Sequence, residues 1–241
     1  MSTLPCRFNE VTDRIRAAEA RSQRPPGSVG LVAVSKSHPP DSLREAMELG
    51  VEVFGENRVQ EARAKIPLLP ARARWHFLGH LQRNKIRQAL PHFEMFHGVD
   101  SLETAEQMNR IAAETGVFPK VLLEVNVAGE ATKFGFPMEG LPAQMDRLLS
   151  LPRLEILGLM AIPPPAEEPE GSRRYFRALA ALRGQLESRG GVRLPELSMG
   201  MSGDFEVAIE EGATWVRIGS ALFGDRPARA WRPAEGDFLD V

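Results

Sequence analysis

Short apolar runs recur along the chain, each bounded by glycine, proline or polar turn residues. A continuous apolar run of this length is typical of a strand buried on both faces of a parallel sheet. Between the runs, apolar residues recur at three- and four-residue steps, which predicts amphipathic helices. The runs predict eight strands, at residues 31–36, 51–55, 74–79, 95–99, 120–127, 154–161, 196–200 and 215–219.

Helices are predicted before the first strand and between successive strands, at residues 8–24, 41–49, 59–66, 84–90, 101–115, 140–149, 173–189 and 204–211. Asp41 or Ser42 is expected to cap the second helix, and Ser101 the fifth. Strands alternating with helices indicate an α/β fold, a (β/α)8 barrel of the TIM type, with an open doubly wound sheet as the alternative. No shift in composition marks an internal boundary. We therefore expect one domain over residues 1–228 and a loose tail over residues 229–241.

Composition excludes several classes of protein. Hydrophobic content of 43% and charged content of 26% are ordinary for a globular protein, and a net charge of −2 gives no electrostatic case for nucleic acid or an anionic membrane as a partner. The single cysteine, Cys6, excludes an internal disulfide framework and a cysteine-based metal cluster. The N-terminus lacks the apolar core of a signal peptide, and no apolar stretch approaches the ~20 residues that span a bilayer. We expect a cytoplasmic protein.

Lys36 is the first candidate for chemistry, because it stands at the end of the first predicted strand and is followed by Pro39 and Pro40. An ammonium is costly to desolvate there, so we expect its pKa to be lowered and its amine to be nucleophilic. Such a lysine suits a Schiff base with an aldehyde, including pyridoxal 5′-phosphate (PLP). The alternative is a lysine whose ammonium simply extends into water.

Two loops rich in glycine and serine follow the seventh and eighth predicted strands, at residues 198–204 and 217–224. Glycine lets backbone approach an anion, and N–H groups at a helix start can donate to it. Loops in these two places form the usual phosphate site of a TIM-type barrel. Either loop alone is more often an ordinary turn or helix cap.

Over nearly its whole length the sequence resembles the pyridoxal phosphate homeostasis proteins, single-domain relatives of the alanine racemase barrel. The motifs that carry the resemblance lie at residues 33–36, 54–61, 75–85, 125–126, 133–135, 158–160, 197–202 and 217–219. The resemblance implies a single barrel without the C-terminal β-domain of the racemases, which supplies a catalytic tyrosine.

The resemblance also implies a set of cofactor-binding residues. Lys36 would carry PLP as an internal aldimine, and Arg217 would face the pyridine nitrogen. The other implied residues are Ser202, Gly219 and Ser220, with the backbone at Met199 and Gly200, for the phosphate, and Asn57 and His76 along the cofactor. Ser220 stands where many members have threonine, and the hydroxyl is kept.

The implied function is PLP homeostasis, in which the protein binds PLP on Lys36 and buffers or delivers it with little or no turnover. A guanidinium only donates hydrogen bonds, so Arg217 would keep the pyridine nitrogen unprotonated and weaken the ring as an electron sink. Tyr175, the only tyrosine, lies in a predicted helix away from the strand ends. No catalytic residue and no metal ligand are therefore expected.

Two alternatives remain open. The first is a slow PLP-dependent amino-acid racemase, and the second is a barrel that binds another phosphorylated ligand with Lys36 as a plain cation. We further expect a monomer, with apo forms of PLP-dependent enzymes as possible partners. Lys133 is either a second amine near the barrel mouth or a solvated loop lysine.

Overall fold

The structure, a computed structural model, describes residues 2–225 and Trp231. Eight parallel strands close into a barrel, because β1 (Gly30–Val34) pairs with β2 (Val53–Glu56) on one side and with β9 (Trp215–Ile218) on the other. The strands between them are β3 (Arg74–Phe77), β4 (Met95–Val99), β5 (Lys120–Asn126), β7 (Glu155–Met160) and β8 (Glu196–Ser198), and the two-residue strand β6 (Phe136–Pro137) lies beside β5. The prediction of a TIM-type barrel is confirmed.

The helices form the outer layer of the molecule. They are α1 (Leu4–Arg21), α2 (Pro40–Glu48), α3 (Val59–Lys65), α4 (Ile86–Ala89), α5 (Leu102–Thr115), α6 (Leu141–Leu149), α7 (Arg173–Gly190), α8 (Phe205–Glu210) and α9 (Ser220–Phe223). The first helix packs on the last two, where Arg14 Nη2 lies 2.7 Å from Glu206 Oε2 and Arg7 Nε donates to the Leu222 carbonyl. Within the described part of the chain, every helix is too short or too polar to cross a membrane.

The structure corrects two local predictions. Pro40 opens α2, so neither Asp41 nor Ser42 caps it, because proline at the first helical position has a suitable φ and no N–H to satisfy. The predicted helix over residues 84–90 is a 3-10 turn, Arg83–Lys85, followed by the four-residue α4. The predicted cap at Ser101 is confirmed, since its hydroxyl accepts the N–H of Thr104.

Two kinds of core fill the molecule. The main apolar core lies between the outer face of the barrel and the helices, and includes Ala33, Phe54 and Leu197. Inside the barrel, small apolar clusters form around Val32 and Leu122. Residues alternate between these two faces along each strand. Alternation therefore decides which side chains reach the barrel interior and its mouth.

The predicted boundary at residue 228 lies outside the described residues. Of the predicted tail, only Trp231 is described, and its backbone N–H donates to the Ser37 carbonyl at 3.1 Å. The tail assignment itself stays a prediction.

Candidate functional site at the carboxyl end of the barrel

A cavity of about 480 Å³ opens where β1, β2, β8 and β9 end. Ligand sites of parallel barrels lie at this end of the strands. Six predicted site residues line the cavity, namely Lys36, Asn57, Ser202, Arg217, Gly219 and Ser220. The structure thus brings together residues that are up to 184 positions apart in the chain. His76, Met199 and Gly200 are not among its lining residues.

Lys36 reaches the cavity through the alternation of side chains along β1. Val32 lies inside the barrel and Ala33 outside, so Lys36 continues the inward-facing series. The strand ends at Val34, two residues earlier than predicted, and Ser35 begins a tight turn in which its carbonyl accepts the N–H of His38 at 3.0 Å. Lys36 is therefore a half-buried turn residue. Its lowered pKa stays a prediction.

The first residues of the loop after β8 bind β9, and the later residues line the cavity. The Met199 N–H is already used by the Trp215 carbonyl at 3.1 Å, and the Gly200 carbonyl accepts the Arg217 N–H at 3.0 Å. Gly200 has a φ of 91°, and a Cβ there would lie 2.6 Å from the Ala208 Cβ, so only glycine fits. Met199 and Gly200 therefore set the path of the loop, and Ser202 is the predicted residue of this loop that meets the cavity.

Ser202 and the start of α9 form the polar wall of the cavity. The Ser202 hydroxyl accepts the N–H groups of Gly219 and Ala221, at 3.3 and 3.2 Å. Ser220 adds a second hydroxyl at the same place. Backbone N–H groups and hydroxyls that converge at a helix start are suited to an oxyanion such as phosphate.

Arg217 is almost fully buried at the floor of the cavity. Its Nη1 donates to Ser198 Oγ at 2.7 Å, and its Nη2 donates to the Ala161 carbonyl at 3.0 Å. Burial lowers the pKa of the guanidinium to about 10, and the nearby carboxylates of Glu124 and Asp204 oppose that shift. Arg217 is therefore positively charged at neutral pH.

A hydrogen-bonded chain runs from Arg217 into the barrel interior. His97 Nδ1 lies 2.8 Å from Ser198 Oγ, and His97 Nε2 lies 3.0 Å from His76 Nδ1. Because a guanidinium only donates, Ser198 Oγ accepts from Arg217, and the tautomer of His97 sets which atom donates in its contacts with Ser198 and His76. Burial lowers the pKa of His76 to about 4 and that of His97 well below its ordinary value, so both rings are neutral.

His76 thus lies deeper than the sequence predicts. Its ring packs edge-on against Trp215 at 5.0 Å between centroids, and its Nε2 has no partner among the described residues. The roles of His97 and Ser198 were missed at the level of sequence. The available signal was the position of His97 in the fourth predicted strand, where alternation of side chains points it into the barrel.

Asn57 provides a test of whether the cavity fits a polar ligand. Its Oδ1 is buried and has no hydrogen-bond partner among the described residues. An unpaired buried acceptor beside a cavity suits a ligand that can donate to it. With the Lys36 amine, the Arg217 guanidinium and the wall at Ser202, the donor set matches an aldehyde-bearing aromatic phosphate such as PLP.

Glu124 is a further titratable residue inside the barrel, on β5. Burial raises the pKa of its carboxyl to about 7, Asp100 raises it further, and the Arg217 and His80 charges lower it. No sequence pattern singles out this carboxyl, because its environment comes from three other strands and loops.

Replacing Glu124 by glutamine is expected to change how stability depends on pH. Because the folded-state pKa of about 7 lies above the ordinary value of 4.5, the folded protein binds more protons than the unfolded chain between these values. Stability therefore falls as pH rises through this window. We expect wild type to lose about 3 kcal/mol relative to Glu124→Gln between pH 4.5 and 8, as measured by urea denaturation of the cofactor-free proteins. If the free energies of unfolding of wild type and Glu124→Gln differed by the same amount at pH 4.5 and at pH 8, the raised pKa of Glu124 would be contradicted.

Lys133 lies at a separate cavity of about 750 Å³, lined also by His80, Asp100 and Phe134. His80 Nδ1 is 2.6 Å from Asp100 Oδ2, and its ring stacks on Phe134. Lys133 is exposed and is not a lining residue of the Lys36 cavity. The interpretation as a solvated loop lysine fits this position.

Comparison with known proteins identifies the family of the chain. The family model described as alanine racemase, N-terminal domain, matches residues 8–227. The "Pyridoxal phosphate homeostasis protein" of Aquifex aeolicus is 45% identical over 221 residues, which cover 91% of this chain and 97% of that protein. The protein of the same name from Pseudomonas aeruginosa is 45% identical over 230 residues, with 94% and 97% covered.

A solved structure agrees with these relatives. PipY of Synechococcus elongatus PCC7942, solved with PLP bound, superposes with a TM-score of 0.76 at 43% identity, over 88% of this chain and 99% of PipY. Fold, length and motifs therefore point to the same group of proteins. The chain belongs to the pyridoxal phosphate homeostasis protein family, which is built on the barrel of the alanine racemase N-terminal domain.

Proposed function

We propose that this protein binds PLP at the barrel mouth, through a Schiff base to Lys36, and buffers or delivers it with little or no turnover. The observation that carries the proposal is the convergence of Lys36, Arg217 and the Ser202 wall on one cavity. The names of the relatives and the PLP bound to PipY support the same cofactor. The cofactor would supply the aldehyde and an electron-withdrawing ring.

Lys36 supplies the covalent bond. Its amine would hold the aldehyde of the cofactor as a Schiff base. At the opposite wall, the hydroxyls of Ser202 and Ser220 and the N–H of Gly219 bind the phosphate. We place Asn57 beside the ring, where its amide can pair with a polar substituent.

Arg217 limits what the bound cofactor can do. Its guanidinium holds its own protons and only donates, so it would keep the pyridine nitrogen of the cofactor unprotonated. Carbanion chemistry is then weakly supported. The hydroxyl of Tyr175 accepts from Arg174 on α7, and Tyr175 lines a different pocket from Lys36. Tyr175 therefore cannot act as an acid or base opposite Lys36.

We also propose that the protein acts in the cytoplasm as a monomer and hands PLP to apo-enzymes. The single cysteine, Cys6, is exposed and needs no oxidising compartment. A covalent but hydrolysable bond to Lys36 suits delivery, because water can reverse it.

The proposal is tested by trapping PLP on the wild-type protein. We expect a yellow protein whose visible band is removed by borohydride, with the reduced adduct mapped to the peptide that contains Lys36. The reduction makes the Schiff base a stable secondary amine, so only a covalent complex leaves a modified lysine. A protein that stays colourless with added PLP would overturn the proposal.

A further inference from the structure

Lys65, on the outer face of the barrel, is a fully buried lysine that the proposed function does not use. Its Nζ donates to three oxygens, Glu56 Oε1 at 2.7 Å, Glu61 Oε1 at 2.7 Å and the Ser35 carbonyl at 2.8 Å. An ammonium has three N–H donors, so all of its hydrogen-bonding capacity is satisfied here. Lysines are almost never fully buried unless they are paired in this way.

The three acceptors tie Lys65 to the backbone on both sides of Lys36. The Ser35 carbonyl precedes Lys36, and the Ser35 hydroxyl donates to Glu56 Oε1 at 2.7 Å. On the other side, the Ser37 N–H donates to Glu61 Oε1 at 2.6 Å. Lys65, Glu56 and Glu61 therefore bind the residues before and after Lys36, and we call these three side chains the Lys65 clip.

The turn that carries Lys36 contains a strained residue. Ser37 has a φ of 68°, in the left-handed region that favours glycine, so its backbone is strained. A strained residue persists where several contacts fix its conformation, and both the N–H and the carbonyl of Ser37 are hydrogen-bonded. Its N–H is held by Glu61, and its carbonyl accepts the N–H of Trp231, whose ring lies 5.3 Å from Lys65 Nζ.

Stability alone gives little reason for the clip, because a buried ion pair can often be replaced by apolar residues without loss. Its contacts are directed instead at the turn that carries Lys36. We propose that Lys65 is a positioning residue, which holds the Ser35–His38 turn so that the Lys36 amine faces the cavity. This inference rests on the proposed function, since it assigns Lys65 a part in the capture of PLP by Lys36.

The test compares Lys65→Met with wild type in two measurements. In the cofactor-free protein, hydrogen exchange of the Ser37 and His38 amides is expected to accelerate at least tenfold while barrel amides are unchanged. With PLP added, the rate of borohydride-trappable capture at Lys36 is expected to fall on the order of tenfold to a hundredfold, because small misplacements of a reacting group have effects of this size. Glu61→Ala releases the Ser37 N–H and removes one of the three Lys65 acceptors, while the contacts of Lys65 with Glu56 and Ser35 remain, so it is expected to give a smaller loss of the same kind.

Two further variants separate positioning from folding. Lys65→Met combined with Glu56→Gln leaves no unpaired buried carboxylate at Glu56, and it should fold while still capturing PLP slowly. Leu182→Ala truncates a buried side chain on α7, and it should destabilise the protein without changing the capture rate. If both Lys65 variants failed to fold, Glu61→Ala would decide the question.

The outcomes distinguish the two proposals. If wild type itself gives no Lys36 adduct, the proposed function fails. If wild type captures PLP and the folded Lys65 variants, or Glu61→Ala in their place, do so at the wild-type rate, the positioning role is overturned whatever the exchange rates are.

Discussion

Lys36→Ala is expected to abolish covalent attachment of PLP, with no visible Schiff-base band and no borohydride-trapped peptide. The cavity would keep the Arg217 guanidinium, the Ser202 and Ser220 hydroxyls and the Gly219 N–H. The variant should therefore still bind PLP non-covalently, and more weakly. We expect its fold to be intact, since Lys36 is a half-buried turn residue rather than part of the core.

The control for this variant is Lys120→Ala. Lys120 lies at the opposite, amino end of β5, where its Nζ is 3.7 Å from Glu94 Oε1 on the surface. Its loss should leave the absorbance band and the trapped peptide unchanged. A trapped adduct that persists in Lys36→Ala would show that another lysine carries the cofactor.

Wild type and Lys36→Ala together also distinguish the proposed function from its two alternatives. A plain phosphate-binding barrel would lose affinity in Lys36→Ala but would show no covalent adduct in wild type. A racemase would exchange the α-proton of an amino acid with deuterated buffer in wild type, and would lose that exchange in the variant. For the PLP homeostasis function we expect no exchange in either protein.

Gly158→Ala is expected to destabilise the protein by about 4 kcal/mol or more, at the upper end of what overpacking does. Gly158 lies on β7 opposite Glu196 of β8. A Cβ on Gly158 would lie 1.8 Å from the Glu196 carbonyl oxygen and 2.6 Å from its carbonyl carbon. These are backbone atoms of a neighbouring strand, so relief would require the two strands to separate. The measurement is urea denaturation of the cofactor-free variant, or its yield of folded protein.

Gly184→Ala is the matched control. Gly184 lies within α7, and a Cβ there meets nothing within 4 Å. Because alanine has the higher helix propensity, this change should stabilise the protein by roughly 0.5–1 kcal/mol. A Gly158→Ala variant as stable as wild type would mean that β7 and β8 are not in contact at this point.

The sequence predicted the barrel and much of its mouth, because both depend on local patterns. Apolar runs mark strands, and loops after strands in a parallel barrel share one end. Lys36, Ser202 and Arg217 could therefore be placed near one another. The family resemblance added the expected roles of Asn57 along the cofactor and of Ser220 at the phosphate.

What the sequence did not predict depends on contacts between distant segments. Lys65 belongs to an ordinary amphipathic helix in the sequence, and only the packing of α3 on the barrel brings it to Ser35. The chain from Arg217 through Ser198 to His97 joins side chains from three strands. Likewise, His76 lies deep because it is on the inward face of β3. The sequence pattern alone does not show whether an inward-facing residue lies deep in the barrel or at its mouth.

The Ser202 hydroxyl gives the barrel mouth a built-in competitor. Its oxygen already accepts the N–H groups of Gly219 and Ala221. An oxyanion that approaches these two donors replaces existing hydrogen bonds, so the net gain is much smaller than the strength of the new ones. Departure of the anion is correspondingly easy, because the hydroxyl can return to both donors at once. In the proposed function, in which this wall binds the phosphate of PLP, the competition favours exchange of the cofactor over its retention.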